Sequence, residues 1–158
     1  MPPDQKAMVR YPLLTTLLCL SPLVYAQVPT TVEVTEHLEG LCDSTAVYDL
    51  FYSYHGVQPA VCTVSKMAIQ ARLNSGVTYH KEDRRFKLKD DSMITAWISC
   101  EGRLLKATMN SKSAEFNQQV EAVFRELEGW TAGRYAGKAV DSVQRWGIIL
   151  HEGYLFLR

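Results

Sequence analysis

The chain has 158 residues with 17 Lys+Arg against 17 Asp+Glu, 47% hydrophobic residues and four cysteines. This balance excludes intrinsic disorder, which needs low hydrophobicity and high net charge. It also argues against general nucleic-acid binding, which calls for a basic surplus. The length fits one ordinary domain.

The N-terminus reads as a secretory signal peptide. Met8-Val9-Arg10 gives a basic start, Tyr11 to Leu23 is an apolar run too short to span a bilayer, and Val24 and Ala26 are the small residues a signal peptidase reads. Cleavage is expected after Ala26, so 1–26 is the leader, and the rest of the chain holds no transmembrane segment. Cleavage takes Asp4, Lys6 and Arg10 with it and leaves 15 basic and 16 acidic residues on about 130 positions, enough to bury roughly two thirds of the unfolded surface. It also removes Cys19. The remaining Cys42, Cys62 and Cys100 are an odd number for an oxidising compartment, so one thiol is expected to be free or bonded to another chain. No Asn-x-Ser/Thr sequon occurs, so no N-glycan is expected.

Residues 27–41 read as a loose lead-in without a strong apolar face, and 42–158 as a single domain. From Cys42 to Tyr54 aromatic and aliphatic residues crowd without a clean period, which fits a strand or an irregular packed segment, and His55 to Pro59 breaks the chain. Ala60 to Asn74 places Val61, Val64, Ala68, Ile69 and Leu73 at helical spacings, with Gly76 as a stop. Val77-Thr78-Tyr79 is strand-like. In 85–89, Phe86 and Leu88 alternate with Arg85, Lys87 and Lys89, as in a half-solvated edge strand, and Asp90-Asp91-Ser92 makes a turn.

The run Ile94 to Cys100 alternates strictly and predicts a strand with Ile94, Ala96, Ile98 and Cys100 on one face. Glu101-Gly102 leads into a second strand from Arg103 to Met109, a tight hairpin in which Gly102 supplies a positive φ. Ser113 is an N-cap, and Phe116, Val120, Val123, Phe124 and Leu127 form the stripe of a second helix ending before Gly129. Trp130 to Leu157 reads as strands joined by turns. The order strand, helix, hairpin, helix, strand predicts an α+β fold, a two-layer sandwich with an antiparallel sheet and two helices packed on one face.

Chemistry-bearing residues are few. His37, His55, His80 and His151 lack metal spacing, and no Cys-x-x-Cys, acidic calcium loop, Gly-x-Ser-x-Gly or phosphate loop occurs, so neither metal nor cofactor is expected. A small hydrolase of the secreted ribonuclease type, built from His80, His151 and Glu82 or Glu152, is one alternative. The run 80–89 is the one basic patch, and Arg84, Arg85, Lys87 and Lys89 offer a binding surface as an alternative to a solvated strand. Trp97 points opposite Ile94, Ala96 and Ile98 and is the better candidate for an interfacial aromatic, whereas Trp146 reads as core.

Several residues fall into a pattern. Cys42-Asp43-Ser44-Thr45 with Phe51, Cys62 before Ile69, Cys100 closing a strand, and Gly129, Gly133 and Gly137 followed by Trp146-Gly147-Ile148 resemble the fungal necrosis-inducing-factor family of secreted effectors over about residues 42–149. The resemblance implies a killer-toxin-like α/β sandwich, an extracellular protein acting on plant hosts or competing microbes, and no catalytic residues to carry over. The family has a fourth cysteine shortly before the closing Trp-Gly, where this chain reads Lys138-Ala139-Val140-Asp141. With that cysteine missing, a Cys62–Cys100 disulfide is expected between helix start and strand end, with Cys42 as the free or intermolecular thiol that would permit a homodimer. The expected partner is a host or competitor-cell protein or cell-surface component, without specific nucleic-acid binding. A secreted protease inhibitor is a further alternative, although no Gln-x-Val-x-Gly loop occurs.

Overall fold

The computed structural model describes residues 30–50, 56–82, 85–88 and 92–158. The leader at 1–26, and Arg84 and Lys89 of the basic run, lie outside the described residues. The fold is α+β. Its strands are β1 (Thr30–Val32), β2 (Val47–Asp49), β3 (Val57–Gln58), β4 (Val61–Cys62), β5 (Met93–Ile98), β6 (Leu104–Asn110), β7 (Trp130–Thr131), β8 (Gly133–Tyr135), β9 (Lys138–Val140), β10 (Ser142–His151) and β11 (Tyr154–Leu157). Its helices are α1 (Lys66–Gly76), α2 (Tyr79–Glu82) and α3 (Ala114–Arg125).

The main sheet runs β1-β2-β10-β5-β6, with β11 also paired to β10. Its pairings are antiparallel except β2 with β10, which is parallel over Tyr48 to Asp49, so the sheet is mixed rather than purely antiparallel. Two smaller sheets, β3-β8-β9 and β4-β7, are antiparallel. Alternation works in β5 as the sequence requires: Ile94, Ala96 and Ile98 are buried, and Thr95 and Trp97 between them are half-buried on the opposite face. The β5–β6 connection is longer than two residues. Ser99 to Gly102 closes a turn through the Gly102 N–H to the Ser99 carbonyl, Ser99 donates to Arg103, and Gly102 sits at φ 75°, so Cys100 belongs to the turn rather than to the strand face.

α3 presents Phe116, Val120 and Phe124 to the sheet, and Ser113 Oγ accepts the Phe116 N–H at 3.2 Å as its cap. α1 begins at Lys66, six residues later than the expected helix, because Ser65 caps it by accepting the Ala68 N–H and Val61-Cys62 pairs with Trp130-Thr131 as β4. Only Ile69 and Leu73 of α1 are buried, and Asn74 ties the helix to β11 by exchanging side-chain hydrogen bonds with the Leu155 backbone at 2.8 Å each way. Ile69, Leu73, Phe116, Val120 and Phe124 meet Ile94, Ala96, Ile98, Ala107, Met109, Ile148, Leu155 and Leu157 in one core. Val77 caps α1, and Tyr79 starts the short α2 instead of a strand. The segment 85–88 is not a strand either: Phe86 leaves any edge and stacks on Phe116 with ring centroids 4.9 Å apart.

Candidate functional site

The disulfide joins Cys42 to Cys100, not Cys62 to Cys100, and the free thiol is Cys62. Cys62 does not open α1. It sits in β4, where its Sγ donates to the Glu128 carbonyl at 3.5 Å, whereas the β5–β6 turn lifts Cys100 toward the lead-in. A carboxylate holds the two half-cystines in place. Asp141 is 1% exposed; its Oδ2 accepts the backbone N–H groups of Cys42 and Asp43 and its Oδ1 that of Cys100, each at 2.7 Å. Hydrogen bonds to an ionised acceptor are roughly twice as strong as neutral ones. Cys42, Cys100 and Asp141 bring ligand-type atoms within 4.8 Å of one another, yet the sulfurs are bonded together and the carboxylate is filled by amides, so the cluster works as a structural knot.

The lead-in is built into the sheet. β1 pairs with β2 at one edge, and Glu36 then forms an ion pair with Lys106 of β6 at the other. Lys106 lies opposite Trp97 in the β5–β6 register, on the face away from the helices, so 33–41 crosses that face as a strap before the disulfide fixes its end. Nearby, Arg145 and Asp49 form another ion pair, this one half-buried.

Among the described residues, cavities lie on either side of the β4 segment. One, of about 240 Å³, lies between the start of α1 and β10 and is lined by Cys62, Val64, Lys66, Ile69, Gln144 and Trp146. Gln144 Oε1 is buried without a hydrogen-bond partner among the described residues. The second, of about 570 Å³, is lined by Gln58, Cys100, Glu101, Thr131 and Arg134. Pro59 and Val61 line both, so the β4 segment is a ridge between two hollows, and Val61 at its crest is 54% exposed.

Of the predicted surface residues, the described ones, Arg85, Lys87 and Trp97, do not share one face. Arg85 and Lys87 are exposed beside Phe86, which packs toward α3 on the helix side, whereas Trp97 is half-buried on the opposite face. The histidines of the hydrolase alternative are also parted. His80 is buried against the β10–β11 turn, its Nε2 3.2 Å from the Gly153 carbonyl and its ring edge-on to Phe116. His151 belongs to that same hairpin but is exposed and lies beside Phe156, on the side away from the buried Leu155. Burial lowers the His80 pKa below the ordinary histidine value, the Gly153 carbonyl opposes that shift, and the Lys81 charge adds to it.

Asp141 is not singled out as a functional residue by the sequence, where its local signal is a single acid between Val140 and Ser142-Val143. Among the described residues no helix is long and apolar enough to cross a membrane. No protein family, curated protein or solved structure matches the chain.

Proposed function

We propose that the protein is a secreted effector-type binding protein, which engages a molecule on a host or competitor cell and alters that cell's survival. The observation that carries this reading is the β4 ridge. Val61 stands 54% exposed between two hollows on a ribbon hydrogen-bonded to Trp130-Thr131. An exposed aliphatic crest on a fixed backbone, with concave walls on both sides, suits a macromolecular partner. The leader-like N-terminus and the resemblance over residues 42–149 supply the extracellular setting. The hydrolase alternative gains nothing from geometry, because His80 and His151 sit on opposite sides of one hairpin.

The test is infiltration of folded residues 27–158 into plant leaf tissue, and addition to competing microbes, beside a heat-denatured control and Val61→Asp. Cell death caused by the folded protein and reduced by Val61→Asp is expected. Equal effects of folded and denatured protein, or no effect on any host or microbe, would overturn the reading.

A further inference from the structure

The crest at Val61 has a second exposed apolar side chain close to it in the chain. Met67, in the first turn of α1, is 83% exposed. Val61 and Lys66 line the same hollow, so the β4 ridge and the start of α1 border one surface. The ladder with Trp130-Thr131 and the Ser65 cap hold the backbone that carries both apolar side chains. Charge on this segment is one-sided, in a protein whose acids and bases balance overall. From Gly56 to Lys81 the chain carries Lys66, Arg72 and Lys81 and no Asp or Glu. Lys66 and Arg72 are exposed and form no ion pair among the described residues. Arg134 adds a cation at the second hollow, where Glu101 is already paired with Arg103 at 2.7 Å. Glu128, whose carbonyl meets the Cys62 thiol, is the acid beside β4.

We propose that the β4–α1 surface docks on an anionic lipid bilayer, with Val61 and Met67 inserted among the headgroups and Lys66, Arg72 and Arg134 held over their negative charge. The proposal deepens the effector reading and rests on it, naming the partner of the Val61 ridge as the lipid surface of the target cell. Charge complementarity selects an anionic surface, because the exposed cations of this segment face no acid within it. Shape favours lipid over protein. A protein partner would have to fill the hollows on both sides of the crest with complementary atoms, and protein interfaces are anchored chiefly by Trp, Tyr and Arg in closely packed pockets. A fluid headgroup layer adapts to the hollows by itself and accepts a convex apolar point. Met67 suits that role, since its unbranched thioether adapts to irregular surroundings. Stable attachment without a membrane-spanning helix takes two signals, apolar insertion and basic charge, and this surface presents both.

The test is co-sedimentation of the folded protein with vesicles of phosphatidylcholine containing phosphatidylserine, beside vesicles of phosphatidylcholine alone. Binding to the anionic vesicles is expected, weakened at least fivefold in about 1 M salt, where the screening length falls to about 3 Å. Lys66→Glu and Arg72→Glu should each weaken it about fivefold, the scale of one cation at an anionic surface. Val61→Asp and Met67→Asp should each weaken it about tenfold, the loss of roughly two buried methylene groups. Met93→Asp is the control, at a 38% exposed methionine on the sheet face that carries Thr95 and Trp97, and should change binding less than about twofold. A variant that loses the parent's melting behaviour is set aside, and Met67→Asp, at the most exposed of these positions, then decides with the salt series on the native protein. No binding to anionic vesicles, equal binding to neutral ones, an unchanged Met67→Asp, or an equal loss in Met93→Asp would each overturn the proposal. Attachment to intact cells that protease treatment of those cells abolishes would assign a protein partner and overturn it too. Lipid docking fails alone if vesicles do not bind while Val61→Asp still reduces cell death; the effector reading fails alone if vesicles bind and no cell dies.

Discussion

At the scale of single residues, Asp141 and His80 show what burial does to an ionisable group. Asp141 gives up water and gains three backbone N–H donors, from Cys42, Asp43 and Cys100. Asp141→Ala leaves those donors without an acceptor and is expected to cost about 3–5 kcal/mol in denaturant unfolding. His80 is the opposite case. Its Nε2 faces the Gly153 carbonyl and therefore donates, which leaves Nδ1 as a buried acceptor with no partner among the described residues. With the folded pKa lowered, chiefly by burial, the unfolded chain binds protons more readily, so stability is fully present above the unfolded value of about 6.5 and is lost as pH falls below it. The urea midpoint should drop between about pH 7.5 and 5 and do so less steeply in His80→Gln. A flat profile in the parent protein would contradict the burial argument.

At the scale of elements, local rules were enough where the apolar pattern had one interpretation. The stripe Phe116, Val120, Phe124 behind the Ser113 cap became α3, and the alternation of Ile94, Ala96 and Ile98 became β5. They failed where short segments had two. Val61 and Val64 match a helical period, but β7 offered a ladder partner and the Ser65 cap fixed the start of α1 beyond them. Phe86 and Leu88 match an edge strand, but an aromatic surface on Phe116 and Tyr79 was available and claimed Phe86. Close backbone approach is another property of elements in contact. At Gly133 in β8 an added Cβ would lie 2.6 Å from both Leu50 Cδ1 and Ser142 Oγ, all three residues being buried. Gly133→Ala is therefore expected to destabilise by about 1–3 kcal/mol in thermal unfolding, the usual cost of overpacking.

At the scale of the whole molecule, the Cys42–Cys100 disulfide and the strap across the sheet's far face act together. The link spans 58 residues, and restricting the unfolded chain over that distance contributes about 4 kcal/mol. Cys42→Ser should lower stability by that order and Cys62→Ser by less than about 1 kcal/mol, since the latter removes only a thiol hydrogen bond to Glu128. Equal losses would contradict the pairing. Reduction should also raise hydrogen exchange in 33–41 more than in β5 or β10, because the strap then loses its covalent tie and is held by non-covalent contacts, among them the Glu36–Lys106 ion pair, the β1 ladder and the Asp141 hydrogen bonds at Cys42 and Asp43. Unchanged exchange there would mean the strap is held by other contacts.

Sequence by itself determined the α+β class, β5, β6 and α3, because hydrophobic period, capping and turn chemistry act over a few neighbouring residues. It also determined that pairing within Cys42, Cys62 and Cys100 leaves one of them over, since three thiols cannot all pair among themselves. Which one was decided only by tertiary structure. Asp141, 41 residues beyond Cys100 and 99 beyond Cys42, gathers the backbone amides at both sulfurs. The same long-range pairing of β4 with β7 set Cys62 in a cleft and raised Val61 as a ridge. Contacts of that separation depend on the path of the whole chain, and no local pattern encodes them.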